Sequence, residues 1–271
     1  MPFILAPGRL NPKRAIRLNR AAKIDTGGIG RYDPAADLIF QTMTTTPTEA
    51  RKSLINATVI SLKAAGVWDA LDTLWVLAAA DAQAARLNWI TPGVNNASSA
   101  NSPTFTADRG YAGDGSTARL TGPVMTTLIK FTQNSGHIGA WVNTDMEEAN
   151  GDIGTGNVFI RSRVATNSFA SRLNDSTTTT TAGAATSIGH TLTSRAGSGS
   201  YELYKDAAAV ATISVVSAAV AALTFNLCAT SATAASTKIV SAGSIGSNLT
   251  AAQVASMHSA LLSYMQAVGA A

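Results

Sequence analysis

The chain has 271 residues, a formal net charge of +4 and only 13% charged residues, while 46% of its residues are hydrophobic. This length suits one large or two small domains. This composition, with few charged residues and only 22 glycines, excludes a coiled coil, a collagen-like fibre and a highly charged nucleic-acid coat. Cys228 is the single cysteine, so an intramolecular disulfide is excluded as well. Its apolar neighbours predict a buried side chain rather than a reactive thiol.

Residues 1–43 are rich in proline, glycine and basic side chains. This composition predicts an extended arm that attaches the protein to a partner. The candidate partner-binding residues are Arg9, Lys13, Arg14, Arg17, Arg20 and Lys23. Two alternatives stay open: the arm packs on its own domain, or it binds nucleic acid. The nucleic-acid alternative is the weaker one, because no aromatic residues lie between the basic ones, and we expect no specific nucleic-acid partner.

Residues 44–86 have the spacing of a helical hairpin. Thr46 is a suitable N-cap, Pro47 suits the first helical position, and Glu49 completes a capping box. Apolar residues then recur every three or four positions over 54–65, which indicates an amphipathic helix.

The second helix of this hairpin is predicted over 67–85, where apolar residues again recur every three or four positions. Trp68 and Trp75 are seven residues apart, so in a helix they would share one face. We expect both rings to be buried.

Residues 87–246 are richer in Gly, Ser, Thr and Asn, and their apolar residues alternate with polar ones. This alternation predicts short strands separated by turns. The predicted strands are 104–107, 118–120, 126–132, 137–143, 157–165, 169–174, 186–194, 201–205, 210–216, 222–230 and 238–242. Many short strands at regular spacing predict a mainly β fold, a jelly-roll β-sandwich. The threonine run 177–181 is expected at a hairpin tip or a sheet edge.

Residues 247–271 predict one closing helix that packs on the body of the protein. Thr250 and Gln253 have the spacing of a capping box. An apolar stripe follows, and Gly269 suits the left-handed position that ends a helix.

Few residues of the sequence are candidates for catalysis or for metal binding. The histidines His137, His190 and His258 are far apart in sequence, and none has metal-ligand spacing. One predicted loop holds four acidic residues, Asp145, Glu147, Glu148 and Asp152. Three interpretations stay open for them: a solvated loop, a calcium site, or a catalytic pair, which needs two carboxylates at least about 5 Å apart. We expect no catalytic residue, no metal and no cofactor.

No segment has the order of a signal peptide, and the longest apolar stretch, 210–223, is too short to span a bilayer. We therefore expect a soluble protein made in the cytoplasm, with no membrane partner.

Several segments resemble recurring elements of tailed-bacteriophage structural proteins. These segments are 64–69, 84–89, 102–116, 133–141 and 244–253. The resemblance covers roughly residues 45–271 and does not include the arm. Members of this family resemble laminin-G-like or concanavalin-like jelly rolls on virion surfaces, where they serve as head decorations, fibres, or tail and baseplate appendages.

The resemblance implies a virion structural protein that docks through its N-terminal arm and exposes its jelly roll. Its expected partners are other virion proteins of the capsid, neck or tail, and it is expected to form a homo-oligomer on the particle. The protein would be synthesised in the host cytoplasm and located on the virion. The resemblance brings no catalytic residues, so we expect that the chain is not an enzyme. A glycan-binding host-recognition protein is the first alternative, and a glycan-degrading enzyme is the second. Exposed Trp or Tyr rings on a concave sheet face would favour the glycan-binding protein.

Overall fold

Two antiparallel β-sheets pack face to face in the computed structural model, which describes residues 31–271. The strands in this range are β1 (Leu71–Val76), β2 (Ser98–Ala100), β3 (Thr104–Thr106), β4 (Gly110–Ala112), β5 (Arg119–Val124), β6 (Gly136–Val142), β7 (Ile153–Thr155), β8 (Val158–Val164), β9 (Ser168–Leu173), β10 (Thr179–Ala182), β11 (Gly189–Arg195), β12 (Ser200–Lys205), β13 (Ala208–Ser214), β14 (Thr224–Leu227) and β15 (Val240–Gly246). The α-helices are α1 (Pro34–Thr42), α2 (Glu49–Ala64), α3 (Ala82–Ala85) and α4 (Ala251–Val268). The predicted mainly β sandwich is confirmed.

The strand order in space differs from the order in sequence. The eight-stranded sheet has the order β13-β12-β11-β6-β15-β4-β3, with β1 paired to β15 beside β4. The seven-stranded sheet has the order β10-β9-β8-β7-β14-β5-β2. The strand β10, which contains most of the threonine run, forms one edge of the seven-stranded sheet, as the sequence predicts.

The central strands of the eight-stranded sheet, β6, β11 and β15, are buried on both faces. One face packs on the seven-stranded sheet through residues such as Ile138 and Leu203. The other face packs under α2 and α4 through residues such as Trp141 and Leu192. Two layers of apolar side chains therefore hold the fold together, one inside the sandwich and one beneath the helices.

The prediction of a second hairpin helix over 67–85 is wrong. A single 3₁₀ turn, Trp68–Ala70, leads directly into strand β1, and only the short helix α3 follows. The strand β1 is buried on both faces, so its apolar residues form a nearly continuous run in which the period of two is hidden. Trp68 and Trp75 are both buried, as expected, but they belong to different apolar layers.

The first helix of the hairpin is present, with a different start. Thr48 rather than Thr46 is the N-cap, and its Oγ1 accepts a hydrogen bond from the backbone N–H of Arg51 at 3.3 Å. A threonine oxygen in this position satisfies a backbone donor that the first helical turn leaves free.

The predicted arm extends too far along the chain. Residues 34–42 form α1, in which Asp33 is the N-cap and Pro34 occupies the first turn. Ala36 and Ile39 of this helix are buried in the layer beneath the helices. Residues 1–30, which contain all six candidate partner-binding residues of the arm, lie outside the described part of the chain.

The segment predicted as a strand over 126–132 is a 3₁₀ turn followed by a loop. Asp72 holds this loop, because its carboxylate accepts hydrogen bonds from the backbone N–H groups of Ile129, Lys130 and Phe131 at 3.1, 3.0 and 2.8 Å. These three donors are thus satisfied by one side chain rather than by a neighbouring strand.

The closing helix α4 agrees with the sequence prediction. The capping box between Thr250 and Gln253 is complete, and Gly269 ends the helix at a φ of 76°, a conformation that glycine adopts without steric cost. Among the helices of residues 31–271, none is long and apolar enough to cross a membrane.

Candidate functional site

The outer face of the seven-stranded sheet carries basic side chains because strand β8 alternates. Val158 and Ile160 point into the sandwich core. The residues between and after them, Phe159, Arg161 and Arg163, therefore point to the opposite face. This pattern places two arginines where the sheet meets solvent.

Neighbouring strands complete a groove on this face. Arg161 pairs in register with Ala170 of β9, and Ala170 pairs with Thr180 of β10. Residues that pair across adjacent strands lie on the same face. Together with Thr178 and the rim residues Glu147 and Glu148, they line a groove of about 470 Å³, which we call the arginine groove.

Two guanidinium groups lie against one aromatic ring beside the groove. The Cζ atoms of Arg161 and Arg172 are 4.9 and 5.5 Å from the centre of the Phe159 ring. Arg172 donates from Nε to Thr178 Oγ1 at 2.9 Å. Cation–π contact of this kind orders long side chains that otherwise move freely in solvent.

Arg161 has no counter-charge within ion-pair distance among the described residues. Its Nε is buried and has no hydrogen-bond partner, and no carboxylate in residues 31–271 forms an ion pair with Arg161 or Arg172. Burial, reinforced by the positive charge of Arg172, lowers the pKa of Arg161. The guanidinium remains charged at neutral pH, so an anion that enters the groove gains a charge-assisted hydrogen bond.

The rim carboxylates are engaged with the protein. Glu147 accepts a hydrogen bond from the backbone N–H of Asn167 at 2.9 Å, and Glu148 accepts one from the backbone N–H of Thr237 at 2.9 Å. Arg163, in contrast to Arg161, is paired with Asp145 at 2.8 Å. The rim carboxylates thus keep their negative charge but are held in place by hydrogen bonds to the protein, and the guanidinium of Arg161 on the floor has no ion-pair partner within residues 31–271.

The acidic cluster of the sequence separates in part in the structure, because Asp145 and Glu147 both lie beside Arg163 whereas Asp152 is buried in the interior. Asp145 pairs with Arg163, and Asp152 pairs with Lys238 in the interior. Within residues 31–271, no three His, Cys, Asp or Glu side chains are placed to hold a metal ion together.

The histidines, in contrast, come together although they are far apart in sequence. His190 and His258 stack on each other at 6.0 Å between ring centres, and both stack on Trp141. His137 lies on the strand paired with that of His190. Burial lowers the pKa of His137 to about 4 and that of His190 to about 3, so both rings are neutral parts of the layer beneath α4 at neutral pH.

The tryptophans form no exposed binding platform. All four are buried, with Trp68 the most exposed at 8%. Cys228 is also fully buried, as predicted, and burial raises the pKa of its thiol. The described residues therefore offer no exposed Trp ring to a ligand, whereas the arginine groove offers charged, hydroxyl and apolar groups. The sequence shows the arginines, but the strand register that gathers them is visible only in the fold.

No protein-family model and no curated protein sequence matches the chain. Solved structures with a similar fold include the Trypanosoma rangeli sialidase in complex with 2,3-difluoro-KDN, at 12% identity and a TM-score of 0.53 over 78% of this chain and 40% of the sialidase. They also include the botulinum neurotoxin serotype D ligand binding domain in complex with N-acetylneuraminic acid, at 8% identity and a TM-score of 0.52 over 73% of this chain and 52% of that one. The botulinum neurotoxin serotype G binding domain matches at 11% identity and a TM-score of 0.51 over 69% of this chain and 50% of that one.

These likenesses show a shared β-sandwich fold, and the chain spans between 40% and about half of each of these structures. The expectation that the chain is not an enzyme is contradicted by the comparison, because several of the similar structures are sialidases, which are enzymes. At 12% identity the likeness assigns no catalytic residue to this chain.

Proposed function

We propose that this chain is a glycan-binding β-sandwich module and that its arginine groove binds an acidic sugar. The observation that carries the proposal is the unpaired guanidinium of Arg161, held against Phe159 in a groove of about 470 Å³. The fold supports it, since one domain of similar fold is in complex with N-acetylneuraminic acid, a sugar that carries a carboxylate.

The groove provides each kind of contact that such a sugar needs. The planar guanidinium of Arg161 matches a carboxylate with two parallel hydrogen bonds. Thr178 and Thr180 offer hydroxyl groups to sugar hydroxyls, and Val164, Ala165 and Ala170 offer apolar surface. Because Arg161 is already partly desolvated, it loses less hydration on binding than a fully exposed arginine does.

The test is isothermal titration of the full chain with 3′-sialyllactose, and with lactose as the neutral counterpart. We expect binding of the sialylated sugar, little binding of lactose, and weaker binding as the salt concentration rises. Arg161→Met should reduce the affinity about tenfold or more, since it removes hydrogen bonds to a charged group.

Arg119→Met is the matched control. Arg119 lies in β5, which is three strands away from β8 in the same sheet, or about 14 Å at the usual strand spacing. The change in net charge is the same, so equal losses in the two variants would indicate general electrostatic attraction. That result, or equal binding of lactose, would refute the proposed site.

The place of the protein on a phage particle stays a prediction. The segments that carry the resemblance are consistent with a virion protein whose jelly roll is exposed and binds a host glycan. The candidate attachment residues, Arg9 to Lys23, lie outside residues 31–271, and the structures compared above are not phage proteins. Location on the virion and contact with capsid, neck or tail proteins are therefore proposals that rest on the sequence.

A further inference from the structure

A separate cavity of about 200 Å³ lies on the helical side of the eight-stranded sheet. It is bounded by the α1–α2 connection, by α2 and α4, and by the alanine-rich segment between β1 and α3. Its walls include Met43, Ile55, Ala84, Trp89 and Tyr264. These side chains are mostly apolar, and the small alanine leaves space that a larger residue would fill.

The two aromatic walls are held in fixed positions. The rings of Trp89 and Tyr264 meet edge to face, with 5.7 Å between their centres and an angle of 77°. The Tyr264 hydroxyl donates to the carbonyl oxygen of Ala78 at 3.0 Å and accepts from Arg51 at 3.1 Å. A site whose walls are already ordered loses little entropy when a ligand enters.

The charged groups around the cavity already have partners within the protein. Arg51 forms an ion pair with Asp108 at 2.5 Å. Asp81, which also lines the cavity, accepts hydrogen bonds from the backbone N–H groups of Gln83 and Ala84 at 2.9 Å. An anion would approach the like charge of Asp81, and a cation would approach the like charge of Arg51, so the cavity suits an uncharged molecule.

The volume limits the size of the ligand. An apolar cavity of about 150 Å³ accommodates a benzene molecule, whereas pockets for drug-sized ligands begin near 300 Å³. A cavity of about 200 Å³ therefore holds one or two fused rings. Offset or edge-to-face contact with Trp89 and Tyr264 favours a flat aromatic molecule.

We infer that this cavity binds a small, uncharged aromatic or heteroaromatic molecule between Trp89 and Tyr264, with any acceptor atom directed to Arg51. The site is independent of the arginine groove, which lies on the other sheet. Binding here adds a second ligand class to a protein proposed to bind sugars.

The experiment uses the full chain with indole, phenol and cyclohexanol as probes. The indole N–H resonance of Trp89, assigned by its loss in Trp89→Phe, is followed by NMR during each titration. We expect indole and phenol to shift this resonance in a saturable manner and to raise the melting temperature, because a ligand of the folded state stabilises it. Cyclohexanol, which is not flat, should bind at least several-fold more weakly.

Two variants fill the cavity in different ways. Ala84→Leu places a larger side chain in the wall, and Ala80→Phe fills the cavity from its exposed mouth if the first variant fails to fold. Ala57→Leu is the control, since Ala57 lies on the exposed side of α2 and does not line this cavity. Loss of binding in a filling variant and normal binding in the control would support the site. Absence of any shift at millimolar probe, or unchanged binding in the filling variants, would overturn it.

Discussion

Lys238 and Asp152 form an ion pair in the interior of the sandwich, with 2.8 Å between Nζ and Oδ1 and neither side chain exposed to solvent. Ser162 completes the arrangement. Its backbone N–H donates to Asp152 Oδ2, and its Oγ accepts from Lys238 Nζ at 3.3 Å. The pair links the start of β7, the middle of β8 and the start of β15, so it fixes the relative position of the two sheets at one end.

Removing one member of this pair should destabilise the protein strongly. Lys238→Met leaves the Asp152 carboxylate buried without a counter-charge, and the expected loss is about 3–5 kcal/mol in urea unfolding. The double variant Lys238→Met with Asp152→Leu removes both charges and should lose much less. A single variant no less stable than the double one would show that water reaches the carboxylate.

Acid should destabilise the fold before most carboxylates titrate. In the unfolded chain a histidine has a pKa near 6.5, whereas burial lowers the pKa of His137 to about 4 and burial with the nearby charge of His258 lowers that of His190 to about 3. Below pH 6.5 the unfolded state therefore binds protons that the folded state does not, and stability falls as the pH falls toward these values.

The expected loss between pH 6.5 and 5 is on the order of 3 kcal/mol for the two histidines together. Urea midpoints measured at intervals from pH 8 to 5 will show it, with a plateau above pH 7.5. Carboxylates such as Asp145, whose pKa the Ser187 backbone N–H lowers further, titrate below this window. His190→Gln should reduce the pH dependence of the free energy of unfolding by the equivalent of about one proton. Urea midpoints of the native protein that do not change between pH 8 and 5 would contradict the lowered pKa values of the two buried histidines.

The helices and strands that have clear local signals can be predicted from the sequence. The helix α4 has a complete capping box and a terminal glycine, and strands such as β8 alternate visibly. The sequence predicts a helix in place of strand β1 because a strand buried on both faces has no polar alternation. The arginine groove and the histidine stack arise from strand register and helix docking, which bring together residues such as Arg161 and Thr180, or His190 and His258, that no local pattern relates.

Trp75 should be among the most costly residues to truncate. Its ring is fully buried and stacks on Phe225 with 6.2 Å between centres, and its Nε1 donates to the carbonyl oxygen of Asn95 at 3.0 Å. Trp75→Ala removes these contacts and leaves a cavity, so the expected loss is about 3–5 kcal/mol in urea unfolding. Ile129→Ala, at a side chain that is 87% exposed, should change stability by less than about 0.5 kcal/mol. Similar values for the two variants would contradict the position of Trp75 in the core.

The attachment role predicted for the N-terminal segment can be separated from stability by two truncations. Deleting residues 1–43 also removes α1, in which Ile39 is fully buried. It removes Asp33 as well, which pairs with Lys63 at 2.5 Å and whose backbone N–H donates to Asn56 Oδ1 at 2.7 Å. This deletion should lower the melting temperature, because an apolar contact and a partly buried ion pair are lost.

Deleting residues 1–30 keeps α1 and its contacts. If Arg9, Lys13, Arg14, Arg17, Arg20 and Lys23 serve attachment to a partner, this shorter deletion should leave the melting temperature of the body nearly unchanged. It should also abolish incorporation into particles assembled with the other virion proteins. Charge reversal at Lys13, Arg14 and Arg17 in the full chain should weaken incorporation more at low salt than at high salt, because exposed charges are screened. A deletion of 1–30 that destabilises the body, or that still assembles, would show that the basic segment has a different role.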